Sequence, residues 1–402
     1  MGANQLAGVD GPLPNDTITY GYDELGRRIA TAIGGVPETM TYDAAGRVVA
    51  VNNALGAFSY AYDGVSSRLL TTTFPNGQTV ENSYGGNLED RELQRITDKV
   101  GATPLSEFVY GRDIPGHRIT TWSQQMGAQP PSLHTIGYDA ADQLLSDSVT
   151  NSGLLSAAFA YAYDPVGNRL TEQAGGATNT ATYNTLNQLS TITGAGNSRT
   201  NEWDGANRLV SVNTGYQRTE FAYDGSGRLA SVRQLTNSVQ VSLRRLVWCD
   251  NKICEERDAA GAISKRFFQE GMKVATGGNA GSYYYTRDHL GSVRELTDGS
   301  GTLRARYSYD PYGRRSRLTG DMESDFGFAG MFWSSEAGLS VTRFRDYDPE
   351  LGRWLSRDVL RRAELSEGPN LYAYVAGNPV NTVDPLGLCG DCNDLSNAIK
   401  GL

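Results

Sequence analysis

A motif that opens with Tyr-Asp, and in several copies continues to Gly-Arg, recurs along this chain of 402 residues. The segments YDELGRRIA, YDAAGRVVA and YDGVSSRLL begin at Tyr22, Tyr42 and Tyr62, each twenty residues from the last. The spacing becomes irregular after Tyr62, and the motif recurs at close to this spacing between Tyr138 and Tyr223. Self-similarity at a fixed period is typical of repeat architectures, in which each repeat is one supersecondary unit.

The physical chemistry of one repeat predicts a β-hairpin. Aromatic residues alternate before the motif, as at Tyr20 and Tyr22, which places them on one face of a strand. The aspartate that follows can accept hydrogen bonds from backbone N–H groups of the turn. A glycine such as Gly46 or Gly227 then supplies the positive φ, and an arginine such as Arg47 begins the return strand. We therefore predict an all-β fold in which antiparallel hairpins form a long ribbon.

The composition supports an array of turns and strands and disfavours several classes of function. The chain has 47 glycines and 22 tyrosines but only 6 methionines. Its net charge of −9 disfavours a broad nucleic-acid surface, which needs clustered Lys and Arg. No apolar run reaches the length of a membrane span, and no signal peptide is visible at the start. We expect helix only in short pieces, with one near residues 359–365.

The cysteines and histidines raise the possibilities of zinc binding and of general-base catalysis. The pairs Cys249/Cys254 and Cys389/Cys392 could hold zinc, but their contexts differ, and we expect free thiols or incidental oxidation of the tail pair. The Asp288-His289 pair could act as a general base, but a turn with an orienting hydrogen bond is the stronger interpretation. No motif for a cofactor or a metal is found, so we expect neither.

The repeat units themselves also admit functional interpretations. The aspartates of the Tyr-Asp pairs lack the spacing of a calcium loop, so we interpret them as turn formers. The rows of aromatic side chains could stack on sugars, although packing on the next strand is the simpler interpretation.

Two segments near the C-terminus do not follow the repeat, and they carry a family resemblance. The first is YYYTRDHLGSVR from Tyr283, and the second is FRDYDPELGRWLSRD…NLYAYVAGNPVNTVDPLGL, which ends at Leu388. Together with the YDxxGR units they resemble the Rhs/YD-repeat proteins, which include insecticidal toxin-complex C components, polymorphic Rhs toxins and animal teneurins. The ending looks like the Rhs repeat-associated core domain. The resemblance covers Thr17 to Leu388.

The resemblance implies an architecture. In this family the β-ribbon coils into a hollow shell, and the core domain closes one end and spirals inward. About a dozen repeats could leave such a shell incomplete, with open strand edges. The implied domains are a lead segment at residues 1–16, a YD-repeat β-shell at 17–282, a core domain at 283–388 and a C-terminal tail at 389–402.

The resemblance also implies an aspartyl autoprotease that cuts after the DPxGL motif. It assigns the catalytic pair to Asp358 and Asp384, and the cleaved bond to Leu388–Cys389. Arg357, next to Asp358, would hold one carboxylate ionised. Two carboxylates that lie close together share a proton, so that one takes a proton from water while the other polarises the peptide carbonyl.

The function that follows is the shell of a bacterial Rhs-type toxin, secreted or at the cell surface, that encapsulates a C-terminal toxin cargo and releases it by autoproteolysis. Its implied partners are that cargo and a shell-sealing protein or secretion-system component, with no nucleic acid. Two alternatives stay open. One is a cell-surface adhesion module that binds glycans or proteins without self-cleavage, and the other is an inert orphan Rhs fragment.

Overall fold

The structure, a computed structural model, describes residues 5–114, 116–194, 199–366 and 368–388. It consists almost entirely of antiparallel β-sheets, with 17, 12 and 4 strands. Within the described residues, helix is limited to the single α-helical turn α1 at Ala363–Ser366 and to 3-10 turns at Asn87–Glu89, Phe328–Gly330 and Val375–Gly377. The prediction of an all-β ribbon of antiparallel hairpins with short helical pieces is confirmed. None of the helices in the described part of the chain has the length and apolar character to cross a membrane.

The strands are short and follow one another closely along the chain. The 17-stranded sheet contains β1 Gly8–Val9, β2 Ile18–Tyr22, β3 Arg28–Ile33, β4 Val36–Tyr42, β5 Val48–Asn53, β6 Gly56–Tyr62, β7 Leu69–Thr73, β8 Gln78–Tyr84, β9 Leu93–Val100, β10 Thr103–Arg112, β11 Ile119–Met126, β12 Ser132–Tyr138, β13 Leu144–Asn151, β14 Leu154–Tyr163, β15 Arg169–Ala174, β16 Ala177–Tyr183 and β17 Leu189–Thr193. The 12-stranded sheet contains β18 Thr200–Trp203, β19 Leu209–Thr214, β20 Gln217–Tyr223, β21 Leu229–Thr236, β22 Val239–Cys249, β23 Lys252–Arg257, β24 Ile263–Phe268, β25 Gly271–Val274, β26 Gly281–Arg287, β27 Val293–Asp298, β28 Leu303–Tyr309 and β29 Arg315–Gly320. The 4-stranded sheet contains β30 Phe332–Ser334, β31 Leu339–Val341, β32 Asp346–Asp348 and β33 Arg353–Trp354.

The YD turns at Asp23, Asp43 and Asp224 are built as the sequence predicts. In the first repeat, Oδ1 of Asp23 accepts the backbone N–H groups of Leu25 at 3.0 Å and Arg27 at 2.8 Å. Gly26 has φ of 79°, in the left-handed region that favours glycine. The strand register shifts at Tyr22, which marks a β-bulge beside the turn. The aspartates are therefore turn formers, as expected.

Two contacts beyond the turn join neighbouring repeats. The guanidinium of Arg47 pairs with Asp43 of its own repeat and lies 4.6 Å from the ring centre of Tyr62 in the next. The hydroxyl of Tyr62 donates to the backbone carbonyl of Val48 at 2.7 Å. The same hydroxyl-to-carbonyl bond recurs at Tyr42, Tyr138, Tyr163, Tyr183 and Tyr223. Each repeat that carries this tyrosine is thus fastened to the one before it.

The chain folds into two compact units, each built from several segments. The first comprises Met1–Ser106, Arg244–Thr286 and Glu295–Arg304, and the second comprises Glu107–Leu243, Arg287–Arg294 and Ala305–Leu402. A core of the first unit is formed by buried aromatic and aliphatic side chains, namely Val51, Leu55, Phe58, Phe74 and Tyr284. A core of the second is an aromatic cluster around Phe328, Tyr347, Trp354 and Tyr374. The domain boundaries given above at residues 16, 282 and 388 stay predictions.

One expectation about the cysteines is wrong. Cys249 and Cys254 form a disulfide across the β22–β23 hairpin, so they are neither free thiols nor zinc ligands. The hairpin turn brings the two cysteines to facing strands, which their spacing in the sequence did not reveal. Cys389 and Cys392 lie outside the described residues.

Candidate active site

The segment after β33 places Asp358 in the interior of the second unit. Its backbone N–H donates to the carbonyl of Leu371 at 3.0 Å, which holds this segment beside the turn that follows α1. The carboxylate oxygen Oδ1 accepts the N–H of Leu360 at 2.7 Å. Only 7% of Asp358 is exposed. The remaining oxygen, Oδ2, faces the guanidinium of Arg345.

The DPLGL motif folds around its own aspartate. Oδ1 of Asp384 accepts the backbone N–H groups of Gly387 at 2.8 Å and Leu388 at 2.9 Å. Gly387 has φ of 74°, and a Cβ at this position would lie 2.4 Å from Oγ1 of Thr342. The motif therefore forms a tight loop that only glycine completes without strain.

Arg345 joins the two aspartates. Its Nη2 lies 2.9 Å from Oδ2 of Asp358 and 3.1 Å from Oδ2 of Asp384. Its Nε donates to the carbonyl of Gly387 at 2.7 Å, so the same guanidinium holds the DPLGL loop. The guanidinium is stacked on Trp354, 4.5 Å from the ring centre, and 5% of Arg345 is exposed. The structure thus brings Asp358 and Asp384 together on one buried cation.

Burial raises the pKa of both carboxyls above the ordinary value for aspartic acid, and Arg345 offsets part of that rise. The negative charge of Asp358 also raises the pKa of Asp384. With one proton shared between the two acids, the group of Arg345, Asp358 and Asp384 carries no net charge. A buried site favours this neutral state.

Arg357 is placed differently from the other site residues predicted from the sequence. Its side chain is largely exposed, and its guanidinium lies 3.8 Å from Glu364. Its charge lowers the pKa of Asp358, but as a weaker cause than Arg345. The tuning role of Arg357 stays a prediction, while Arg345 is the cation that contacts both acids.

Leu388 is completely buried and packs against Phe344, Leu360 and Leu386. The backbone carbonyl of Leu386 accepts the N–H of Phe344 at 3.1 Å and lies 2.8 Å from Oγ1 of Thr342. The residue before the predicted cleavage point is therefore fixed by its side chain and by the backbone around it. Cys389, on the other side of that bond, lies outside the described residues.

Arginine side chains lie over several of the tyrosine rings in the repeats. Arginine guanidinium groups lie 4.6–5.2 Å from the ring centres of Tyr42, Tyr62, Tyr138 and Tyr223. A sugar that stacked on these rings would have to displace the arginine from the same face. Glycan binding stays an untested alternative, and this packing does not favour it.

Two family models match the chain. Residues 271–380 match the model described as Teneurin YD-shell, and residues 42–79 match the model described as RHS Repeat. The first match contains Arg345 and Asp358 and ends just before Asp384.

Several characterised proteins are similar in sequence. Double-stranded DNA deaminase toxin A of Burkholderia cenocepacia is 24% identical over 394 residues, which cover 92% of this chain and 24% of that protein. The tRNA3(Ser)-specific nuclease WapA of Bacillus spizizenii is 26% identical over 375 residues, which cover 86% of this chain and 15% of that protein. Toxin protein Tse5 of Pseudomonas aeruginosa is 35% identical over 111 residues, which cover 28% of this chain and 8% of that protein. The chain thus spans a quarter or less of the length of these relatives.

Solved structures share the fold. The crystal structure of TcdB2-TccC3-TEV superposes with a TM-score of 0.76 at 19% identity and covers 93% of this chain and 22% of that one. The Photorhabdus luminescens Tc holotoxin pore, with a mutated TccC3, gives a TM-score of 0.75 at 19% identity, covering 94% and 21%. The repeats, the matched family models and this shared fold agree with one another. The chain carries an RHS repeat and a Teneurin YD-shell segment, and it shares the fold of these toxin-complex structures.

Proposed function

We propose that this chain is the shell of a bacterial Rhs-type toxin and that it hydrolyses its own Leu388–Cys389 bond. The observation that carries the proposal is the shared contact of Asp358 and Asp384 with Arg345, because paired buried carboxylates are suited to acid–base chemistry. The second support is position: Asp384 binds the backbone N–H of Leu388, the residue that would lose its peptide bond.

The reaction needs only water and the two carboxyls. The ionised member of the pair takes a proton from a water molecule, and the oxygen of that water attacks the carbonyl carbon of Leu388. The protonated member donates a hydrogen bond to the carbonyl oxygen as negative charge develops there. The C–N bond to Cys389 then breaks, the leaving nitrogen takes up a proton, and Leu388 keeps a carboxylate. Arg345 stabilises the ionised carboxylate throughout.

The catalytic carboxyls and the bond that they cleave lie in the same chain, and this placement gives the reaction much of its rate. A bond held beside its catalytic group reacts without the entropy cost of a bimolecular encounter. The loop of DPLGL, its hydrogen bonds to Asp384 and the pocket for Leu388 provide this placement.

A cargo that follows Leu388 in longer relatives is the natural occupant of such a shell. The similarity to proteins named as deaminase and nuclease toxins supports a toxin as that cargo. It also supports secretion or presentation at the cell surface, with a shell-sealing protein or a secretion-system component as partner. These partners belong to the proposal.

A fusion with a small folded reporter after Leu402 tests both parts of the proposal. The parent should release the reporter from the polypeptide chain, whereas the Asp358→Asn variant should keep it attached. If the cut reporter is enclosed, it should co-elute with the shell and resist an added protease until the shell is unfolded. A reporter that stays attached in the parent contradicts self-cleavage, and a cut reporter that elutes freely contradicts encapsulation.

A further inference from the structure

The turn between β26 and β27 is a variant of the YD turn that points a histidine inward. Oδ1 of Asp288 accepts the N–H groups of Leu290 at 3.0 Å and Ser292 at 2.9 Å, as the repeat aspartates do. Gly291 has φ of 80°, matching the glycine of the repeats. His289 occupies the position that Glu24 has in the first repeat, where the side chain is exposed.

The ring of His289 is held on two aromatic residues of the same unit. Its centre lies 4.5 Å from that of Tyr110 and 4.9 Å from that of Trp122. Its Nε2 lies 2.8 Å from the backbone carbonyl of Val380, so the proton of the ring must sit on this nitrogen to make the bond. Burial lowers the pKa of His289 to about 4, which leaves the ring neutral near pH 7. The expected orienting hydrogen bond is therefore present, and it reaches the C-terminal segment.

The next residue, Asn381, is hydrogen-bonded to the repeat strands of the same unit. Oδ1 of Asn381 accepts the backbone N–H of Ile119 at 2.8 Å, and its Nδ2 donates to the hydroxyl of Tyr138 at 2.8 Å. That hydroxyl in turn donates to the carbonyl of Ile119 at 2.7 Å, which is the bond that fastens one repeat to the next. Asn381 is thus built into a repeat junction.

These two anchors, Val380 and Asn381, lie three to four residues before Asp384 in the chain. Val380 and Asn381 are fixed by His289 and by the Ile119–Tyr138 junction, and Asp384 follows three residues later. Neither His289 nor Asn381 is among the residues bonded to the two carboxylates. The two anchors do fix the position of the backbone just before the DPLGL loop.

We infer that His289 is a positioning residue for the self-cleavage proposed above: its hydrogen bond to Val380 sets the register of the segment that presents Asp384 and the Leu388 carbonyl to Asp358. Asn381 is the second anchor of the same segment. The inference rests on the proposed function for its effect on rate, but it also predicts a structural effect that is independent of cleavage.

The first test compares cleavage rates in His289→Gln and His289→Leu. The amide nitrogen of glutamine can replace Nε2 as the donor to Val380, whereas leucine has no donor. The leucine variant loses a partly buried hydrogen bond that also holds the segment in the transition state, so cleavage should slow on the order of tenfold. The glutamine variant should recover most of the parental rate.

A matched control separates positioning from general loss of stability. His134 packs on the same Trp122 ring, with centres 5.5 Å apart, but its Nδ1 binds Asp147 at 2.8 Å. His134→Leu should therefore lower the thermal midpoint and leave the cleavage rate of the folded protein unchanged. Equal rates for His289→Leu and the parent, or equal slowing by His134→Leu, would overturn the inference.

The second test does not depend on cleavage. In the uncut Asp358→Asn background, hydrogen exchange of the peptide that spans residues 378–388 should become faster with His289→Leu and not with His289→Gln. If the parent itself is never cut, the proposed function is wrong, and this exchange measurement alone decides the inference. Unchanged exchange in His289→Leu would contradict it.

Discussion

The carboxylate of Asp384 accepts a hydrogen bond from the backbone N–H of Leu388, at 2.9 Å. One side chain of the predicted catalytic pair is therefore tied to the residue whose carbonyl it is proposed to help cleave. The bond holds only if the chain turns sharply at Gly387, whose φ of 74° allows that turn. The geometry of the loop and the chemistry of the acid pair are thus set by the same few residues.

The first prediction concerns the bond that fastens one repeat to the next. Tyr62→Phe removes the hydroxyl that donates to Val48 at 2.7 Å and leaves the ring in place. It should lower the free energy of unfolding by about 0.5–1.5 kcal/mol, the usual contribution of one such bond. Urea denaturation measures this, with Tyr216→Phe as the control because 66% of Tyr216 is exposed. Equal losses in the two variants would contradict the fastening role.

The second prediction uses two glycines that both have a positive φ. Gly46 has φ of 81° and open space where a Cβ would lie, whereas a Cβ at Gly387 would lie 2.4 Å from Thr342 Oγ1 and 3.0 Å from the backbone nitrogen of Arg345. Each change to alanine should cost on the order of 1 kcal/mol of backbone strain. Only Gly387→Ala should also slow cleavage, because it must displace the loop from Arg345. Mass spectrometry gives the two rates, and similar rates would count against the loop geometry.

The third prediction concerns pH. Arg345 lowers the pKa of Asp358 and of Asp384 from the values that burial alone would give, so Arg345→Gln should raise both. Cleavage needs one acid protonated and the other ionised, and its rate should peak between the two apparent pKa values of the pair. The peak should therefore move to higher pH in Arg345→Gln.

Arg357→Gln is the control for that profile. Arg357 lowers the pKa of Asp358 as a weaker cause, so its loss should move the peak upward by a smaller amount. First-order rate constants measured across a series of buffers give both profiles. A peak that stays in place or moves to lower pH in Arg345→Gln would show that Arg345 does not set the charge of the pair.

The local structure of the repeats could be predicted from the sequence because its causes lie within a few residues. In the turn at Asp43, the aspartate binds backbone N–H groups two and four residues later, and Gly46 between them takes a positive φ. The sequence pattern did not show the double contact of Arg47, which pairs with Asp43 and also stacks on Tyr62 of the next repeat. Residues of successive repeats meet there only because neighbouring hairpins lie side by side.

The candidate site was harder to predict, since its parts are distant in the sequence. The family resemblance pointed to Asp358 and Asp384, but Arg345 precedes Asp384 by 39 residues and has no periodic relation to either acid. The neighbouring cation, Arg357, was the natural candidate in the sequence, yet it lies near Glu364 at the surface. Only the turn between β31 and β32 brings Arg345 to the acids.

The intact mass of the folded protein over time tests the central claim most directly. The parent should convert, by a first-order process independent of protein concentration, to a chain that ends at Leu388. Asp358→Asn and Asp384→Asn should each stay at full-length mass while keeping the parental fold, and the double variant should behave like either single one because the two acids act as a unit. If the parent and the variants keep the same full-length mass after prolonged incubation, this chain is not a self-cleaving protease.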